Sequence, residues 1–116
     1  MAEQNCLFCK IVAGEIPAAK IFEDERAIVF RDINPQAPTH ALVIPRGHVA
    51  SLDEAGETDE ALLGHLLLVA ARVAREEGLD ESGYRTVINT GAGAGQTVFH
   101  LHVHLLGGRR LTWPPG

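Results

Sequence analysis

His100-Leu101-His102-Val103-His104-Leu105-Leu106 alternates imidazoles with aliphatic side chains. In a β-strand successive side chains face opposite ways, so this spacing sets three imidazoles on one face and Leu101, Val103 and Leu105 on the other. Half of the six histidines of the chain fall within these five positions, and histidine is a weak strand former, so strand propensity does not account for them. Imidazole titrates near pH ~6.5, which suits it to nucleophilic and proton-transfer work, and in its neutral form it also binds zinc. With a rise of roughly 3.3 Å per residue, His100 and His104 stand about 13 Å apart, whereas ligands of one zinc converge to bonds of about 2.0 Å. All three cannot hold one ion, and at least one imidazole is left for chemistry.

Outward from this strand, the segment Gly91-Ala92-Gly93-Ala94-Gly95-Gln96-Thr97 runs straight into it. Small residues let backbone N–H groups approach an anion, so a glycine loop beside a histidine cluster reads as a phosphate cradle rather than as an ordinary hairpin. Residues 84–89 and 98–106 are expected to be the strands on either side of it. Further upstream, residues 20–23, 27–31 and 40–45 read as strands and residues 7–12 as a short helix, with the proline-rich 34–38 segment a loop that delivers His40 to a strand start. Apolar residues Leu62, Leu66, Val69 and Val73 recur at helical spacing, which predicts a helix over 58–77. Leu63, Leu67 and Leu68 widen its apolar stripe beyond what one sheet face covers, so a partner chain is expected there. About five strands and one long helix make an α+β domain, expected to span residues 1–116 as a single unit.

Composition excludes several functions. Lys+Arg number 10 against 15 Asp+Glu, a formal net charge of −5, so the broad basic field of a nucleic-acid binder is missing. No apolar run approaches the roughly 20 residues of a membrane span. The first residues lack the basic and apolar regions of a secretory leader, which points to the cytoplasm. There Cys6-Leu7-Phe8-Cys9, with the two-residue gap of a zinc half-site, reads as metal or redox chemistry before a disulfide. Unligated reduced thiols and a redox pair are the other readings.

The triad resembles the signature of the histidine-triad superfamily. Asp32-Ile33-Asn34-Pro35-Gln36-Ala37-Pro38-Thr39-His40, Leu42-Val43-Ile44-Pro45, Gly95-Gln96-Thr97-Val98 and Trp113-Pro114-Pro115-Gly116 are similar to its Hint branch, the purine nucleoside phosphoramidases. The resemblance spans nearly the whole chain. It implies a five-stranded antiparallel sheet with one long and one short helix, pairing into a continuous sheet in a homodimer whose tail, residues 107–116, contacts the partner. It also implies cleavage of a P–N bond in purine nucleoside 5′-phosphoramidates, releasing AMP or GMP through a covalent nucleotidyl-histidine.

Carried over by position, His102 is the nucleophile, with His104, His40 and the Thr97 hydroxyl beside the phosphate. Family members often carry serine at the position of Thr97. Gly95, Gln96 and Asn89 reach the nucleotide, and Asp32 accepts hydrogen bonds from the ribose hydroxyls. Leu7, Phe8, Ile11, Phe30, Ile33 and Leu42 clamp the purine, and Trp113 shapes the leaving-group side of the partner's pocket. The resemblance pairs Cys6 and Cys9 with His48 and His100 in a structural zinc site, with no cofactor for catalysis. His65 belongs to no motif and is expected to pack or face solvent. Two further functions stay open: a dinucleoside polyphosphate hydrolase or nucleotidyltransferase of the same superfamily, and a non-enzymatic nucleotide-binding regulator. The short length and the Trp-Pro-Pro-Gly tail favour the phosphoramidase.

Overall fold

A computed structural model describes residues 3–116. In chain order it holds α1 (Leu7–Val12), β1 (Lys20–Glu23), β2 (Ala27–Arg31), β3 (Thr39–Pro45), α2 (Glu60–Glu76), β4 (Tyr84–Val87) and β5 (Val103–Gly107), with short 3₁₀ turns at Leu52–Glu54, Glu57–Asp59 and Ala92–Ala94. The strands form one antiparallel sheet in the order β1-β2-β3-β5-β4. This is the five-stranded α+β arrangement expected from the sequence.

Both faces of the sheet are covered, for different reasons. On one face Leu66, Val69, Ala70, Val73 and Ala74 of α2 pack onto Val29, Ala41, Val43, Leu101, Val103 and Leu105. On the other, Ile28, Phe30, Leu42 and Ile44 pack against Cys6, Phe8, Cys9 and Ile11 at α1. The short helix is too small to stand alone, so its place depends on this burial. Its N-cap is Cys6, whose sulfur accepts the Cys9 N–H at 3.3 Å. The outer side of α2 stays uncovered, with Leu67 47% and Leu68 71% exposed.

Three element bounds depart from the sequence expectation by two residues or more. The long helix starts at Glu60 rather than Thr58, because the Glu57–Asp59 turn precedes it and the Asp59 carboxylate accepts the Gly56 N–H at 2.9 Å. The strand expected over 84–89 stops at Val87. The strand expected over 98–106 joins the ladder only at Val103, paired with Val43. Toward the end of β3 stands Pro45, which has no N–H to give. The Leu101 N–H instead donates to the Val49 carbonyl at 2.6 Å, and His100 bonds to the Pro45 carbonyl through its side chain. The alternation survives outside the ladder: Leu101, Val103 and Leu105 enter the α2 core while the histidines face the α1 side.

Candidate active site and metal centre

Main-chain atoms fix which nitrogen of His102 and of His40 carries its proton. The His102 Nδ1–H donates to the His100 carbonyl at 2.7 Å, which leaves the Nε2 lone pair unengaged. The His40 Nδ1 accepts the Gln36 backbone N–H at 3.0 Å, so the proton of the neutral ring sits on Nε2. That Nε2–H donates to His104 Nδ1 at 2.9 Å, with the Asp32 carboxylate 3.4 Å away. His104 must then carry its own proton on Nε2, where it is a donor. Burial holds His102 and His40 below the usual imidazole range, partly offset in His102 by the His100 carbonyl and then Asp32, and in His40 by Asp32. Burial, with the neighbouring His102 and His40 charges, brings His104 to about 4. At neutral pH the site therefore presents one uncharged ring nitrogen with an open lone pair, His102 Nε2, beside one neutral donor, His104 Nε2–H.

A cavity of about 360 Å³ opens onto these two rings. The six residues expected to clamp a base, Leu7, Phe8, Ile11, Phe30, Ile33 and Leu42, all line it, together with Asp32, Gly95 and Thr97. Phe8 packs edge-on against Phe30 at 5.4 Å and His102 at 5.1 Å, so one ring shapes the apolar floor and braces the histidine. Ile33 stands fully exposed at the rim. The sequence reading missed Ile16, Ala18 and Val98, which also line the cavity. Their signal was an apolar residue on either side of Pro17 and one directly after Thr97, neither of which forms a periodic pattern.

The glycine loop leads into the cavity by a 3₁₀ turn, with Gly91 at φ 87° and Gly95 at φ 93°, conformations that L side chains rarely adopt. Gln96 is buried and occupied: its side chain accepts the Gly91 N–H at 2.8 Å and donates to the carbonyls of Ala50 at 2.8 Å and Val98 at 3.2 Å. It pins the loop to the body of the protein, and its side-chain amide does not line the cavity. Asn89 borders a second space beside His104 rather than the apolar cavity. Trp113, 81% exposed, borders neither, while Leu111 and Pro115 of the same tail flank that second space. His65 ties α2 to the β1–β2 turn through Asp24 at 2.7 Å, a packing role.

His100 points away from the cavity into a different cluster. Cys6 Sγ and Cys9 Sγ lie 3.3 and 3.5 Å from His100 Nδ1, and Cys9 Sγ lies 3.3 Å from His48 Nδ1. The four ligand atoms all fall within 4.8 Å of one another. Because His100 Nε2–H donates to the Pro45 carbonyl at 2.8 Å, its Nδ1 lone pair faces the sulfurs. Burial pushes the Cys6 thiol up, a cost that a bound cation would offset. Two thiols and two imidazoles in this arrangement fit a closed tetrahedral zinc site. Asp32, His40 and His104 also lie close enough to share an ion, but the proton on His40 Nε2 occupies the position a metal would need. That second group is a hydrogen-bond chain.

The chain matches the HIT domain family over residues 13–111. A 14 kDa zinc-binding protein of Zea mays is 54% identical over 112 residues, covering 95% of this chain and 87% of that protein. The crystal structure of a HIT family hydrolase from Legionella pneumophila superposes with a TM-score of 0.95 at 55% identity, covering 97% of this chain and all of that one. A histidine triad nucleotide-binding protein from Candida albicans gives a TM-score of 0.82 at 35% identity, covering 95% of this chain and 83% of that one. With the histidine strand, the glycine loop and the sheet order all in place, this chain belongs to the HIT domain family.

Proposed function

We propose that this protein is a Hint-type hydrolase of purine nucleoside 5′-phosphoramidates, acting through a covalent nucleotidyl-His102. The observation that carries the reading is the His102 Nδ1–H bond to the His100 carbonyl, which leaves Nε2 as a neutral nucleophile at the edge of an apolar, base-sized cavity. In the first step the Nε2 lone pair forms a bond to phosphorus and the P–N bond breaks. Its electron pair goes to nitrogen, which takes a proton from solvent. The phosphorylated ring is then cationic, and the His100 carbonyl that accepts its Nδ1–H stabilises that charge where it develops. His104 Nε2–H, the Thr97 hydroxyl and the Gly95 backbone are the donors available for the phosphoryl oxygens. In the second step water attacks phosphorus, the P–Nε2 bond breaks, and one proton leaves with the solvent to regenerate neutral His102 and free nucleoside monophosphate. Asp32, at the rim of the same cavity, is placed to accept from the ribose hydroxyls.

In this reading Cys6, Cys9, His48 and His100 hold a structural zinc that supplies no step of the reaction. The protein works in the cytoplasm, where Cys6 and Cys9, not joined in a disulfide, remain reduced. No helix among the described residues is long and apolar enough to cross a membrane. The test is a panel of adenosine and guanosine phosphoramidates, diadenosine polyphosphates and ADP. Phosphoramidates are expected to release monophosphate with the highest kcat/KM, and preferential turnover of the polyphosphates would replace this reading with the P–O bond alternative.

The working unit in this proposal is a homodimer. Leu67 and Leu68 leave an apolar stripe exposed on α2, and β4 is an open edge of the sheet, so a second copy can cover the one and continue the other. Sedimentation at micromolar concentration is expected to give twice the chain mass. Deleting residues 111–116 is expected to alter amine preference by several-fold with the dimer intact. A monomer would refute the assembly, and an unchanged preference would refute a role for Trp113 and its neighbours.

A further inference from the structure

Beside His104, on the side away from the apolar cavity, lies a second space of about 250 Å³ bordered by His40, His104, Asn89, Arg85 and Arg109. It adjoins a third of about 290 Å³, to which Arg85, Arg109 and Arg110 all contribute. Three of the ten basic residues of an acidic chain thus gather at one end of its catalytic face. Among the described residues, no carboxylate comes within ion-pair distance of any of the three. Their recorded bonds go to carbonyls: Arg85 Nη2 to Thr112 at 2.8 Å, and Arg109 Nε to Gln36 at 2.9 Å and Nη1 to Arg110 at 3.1 Å. These contacts hold the Arg85 and Arg109 guanidinium groups in place and leave donors on each unspent within this chain, since a guanidinium has five.

The position matters as much as the charge. His102, His104 and Leu106 follow one another along the same face of the chain, the apolar cavity meeting the His102 end and the second space the Leu106 end. A group displaced from phosphorus by His102 departs on the side opposite the attacking nitrogen, and the space bordered by the arginines meets the apolar cavity at His104. The Gln36 backbone also links the two regions, since its N–H donates to His40 Nδ1 while its carbonyl accepts from Arg109.

We infer that Arg85 and Arg109 form an anion subsite for the leaving group, so that the preferred substrates carry a carboxylate or phosphate on the departing amine. This rests on the phosphoramidase reading above and assigns the class of amine that reading leaves open. Two or three charge-assisted hydrogen bonds from partly exposed guanidinium groups correspond to a preference of about tenfold.

The experiment compares three adenosine 5′-phosphoramidates, made with β-alanine, β-alaninamide and 2-aminoethyl phosphate, by kcat/KM on the wild-type protein and by Kd on the non-reacting His102→Asn variant. The β-alanine conjugate is expected to exceed its neutral amide by about tenfold. That ratio is expected to shrink to about twofold or less in Arg85→Gln and Arg109→Gln, to recover in part in Arg109→Lys, and to decline with added salt. A larger preference for the phosphate-bearing amine upholds the subsite and assigns it to phosphate, and a larger one for β-alanine assigns it to carboxylate. Equal values for the acid and its amide, or a ratio untouched by both glutamine variants, overturn the inference while leaving phosphoramidase activity standing. Should no conjugate turn over, the phosphoramidase reading falls, and the Kd ratios alone decide the subsite by the same criteria.

Discussion

Replacing His102 by asparagine is expected to lower phosphoramidate turnover on the order of 10⁴-fold or more, the scale at which nucleophile deletions act in enzymes with covalent intermediates. Nucleotide affinity is expected to change by less than about threefold. The two effects separate because His102 contributes one reactive nitrogen, whereas the cavity that would hold a base is built by Phe8, Phe30, Leu42 and their neighbours. Asparagine keeps a side-chain amide that can donate to the His100 carbonyl in place of Nδ1–H, so the local backbone path is retained. An alkali-stable label from a radiolabelled substrate is expected on the wild-type protein alone. The pH profile adds a second check. Burial holds His102 below its ordinary value of 6.5, so the ring is still neutral when pH falls to that point, and kcat/KM is expected to stay level down to pH 6.5. An acid limb at 6.5 or higher would contradict the buried, neutral ring, and turnover by His102→Asn within tenfold of wild type would end the covalent mechanism.

Chelation of the metal is expected to have the largest effect on stability. Protein purified without chelator is expected to hold about one zinc per chain, bound by Cys6, Cys9, His48 and His100. A ligand present at a thousandfold above its Kd stabilises the folded state by about 4 kcal/mol, and a domain of this size shifts its melting point by roughly 4 °C per kcal/mol. Removing zinc is therefore expected to lower Tm by roughly 15 °C, and Cys9→Ser to reproduce most of that drop. Turnover at 25 °C is expected to fall far less, because the ion touches no reacting atom. Metal-free protein with an unshifted Tm would remove the zinc and leave the catalytic reading intact. Stability is also expected to decline on acidification. His104 stays neutral in the fold down to about 4 but takes a proton near 6.5 when unfolded, so stability present above pH 6.5 is progressively lost between those values.

The sheet, the long helix and the face shared by the three imidazoles were readable because each follows a strict period: two residues for Val103 and Leu105, about 3.6 for Leu66, Val69 and Val73. Where the period stops being informative, the reading slipped. His100 and His102 keep their alternation yet leave the ladder, because the missing N–H of Pro45 and the Val49 carbonyl decide the pairing, and both lie more than fifty residues away. The resemblance brings Gln96 to the nucleotide without saying that its side-chain amide is held by Gly91, Ala50 and Val98, partners that only the fold assembles. The division of labour within the triad was half visible. Strand spacing excluded a common ion for the three rings, while the turn of His100 toward Cys6 and Cys9 rested on resemblance until the α1 packing placed the sulfurs there.

His40, His100 and His102 each have one ring nitrogen assigned by a peptide group: the Gln36 N–H, the Pro45 carbonyl and the His100 carbonyl. Their protonation pattern is thus written into the course of the main chain rather than into a second ring of polar side chains. Anyone transplanting this chemistry onto another scaffold would have to reproduce three short backbone paths, at residues 36, 45 and 100, and could leave most surrounding side chains to vary. By the same logic, sequence drift around the site is cheap so long as it spares those paths. An inserted or deleted residue near one of them would release the ring it holds, His40, His100 or His102, without altering a single histidine.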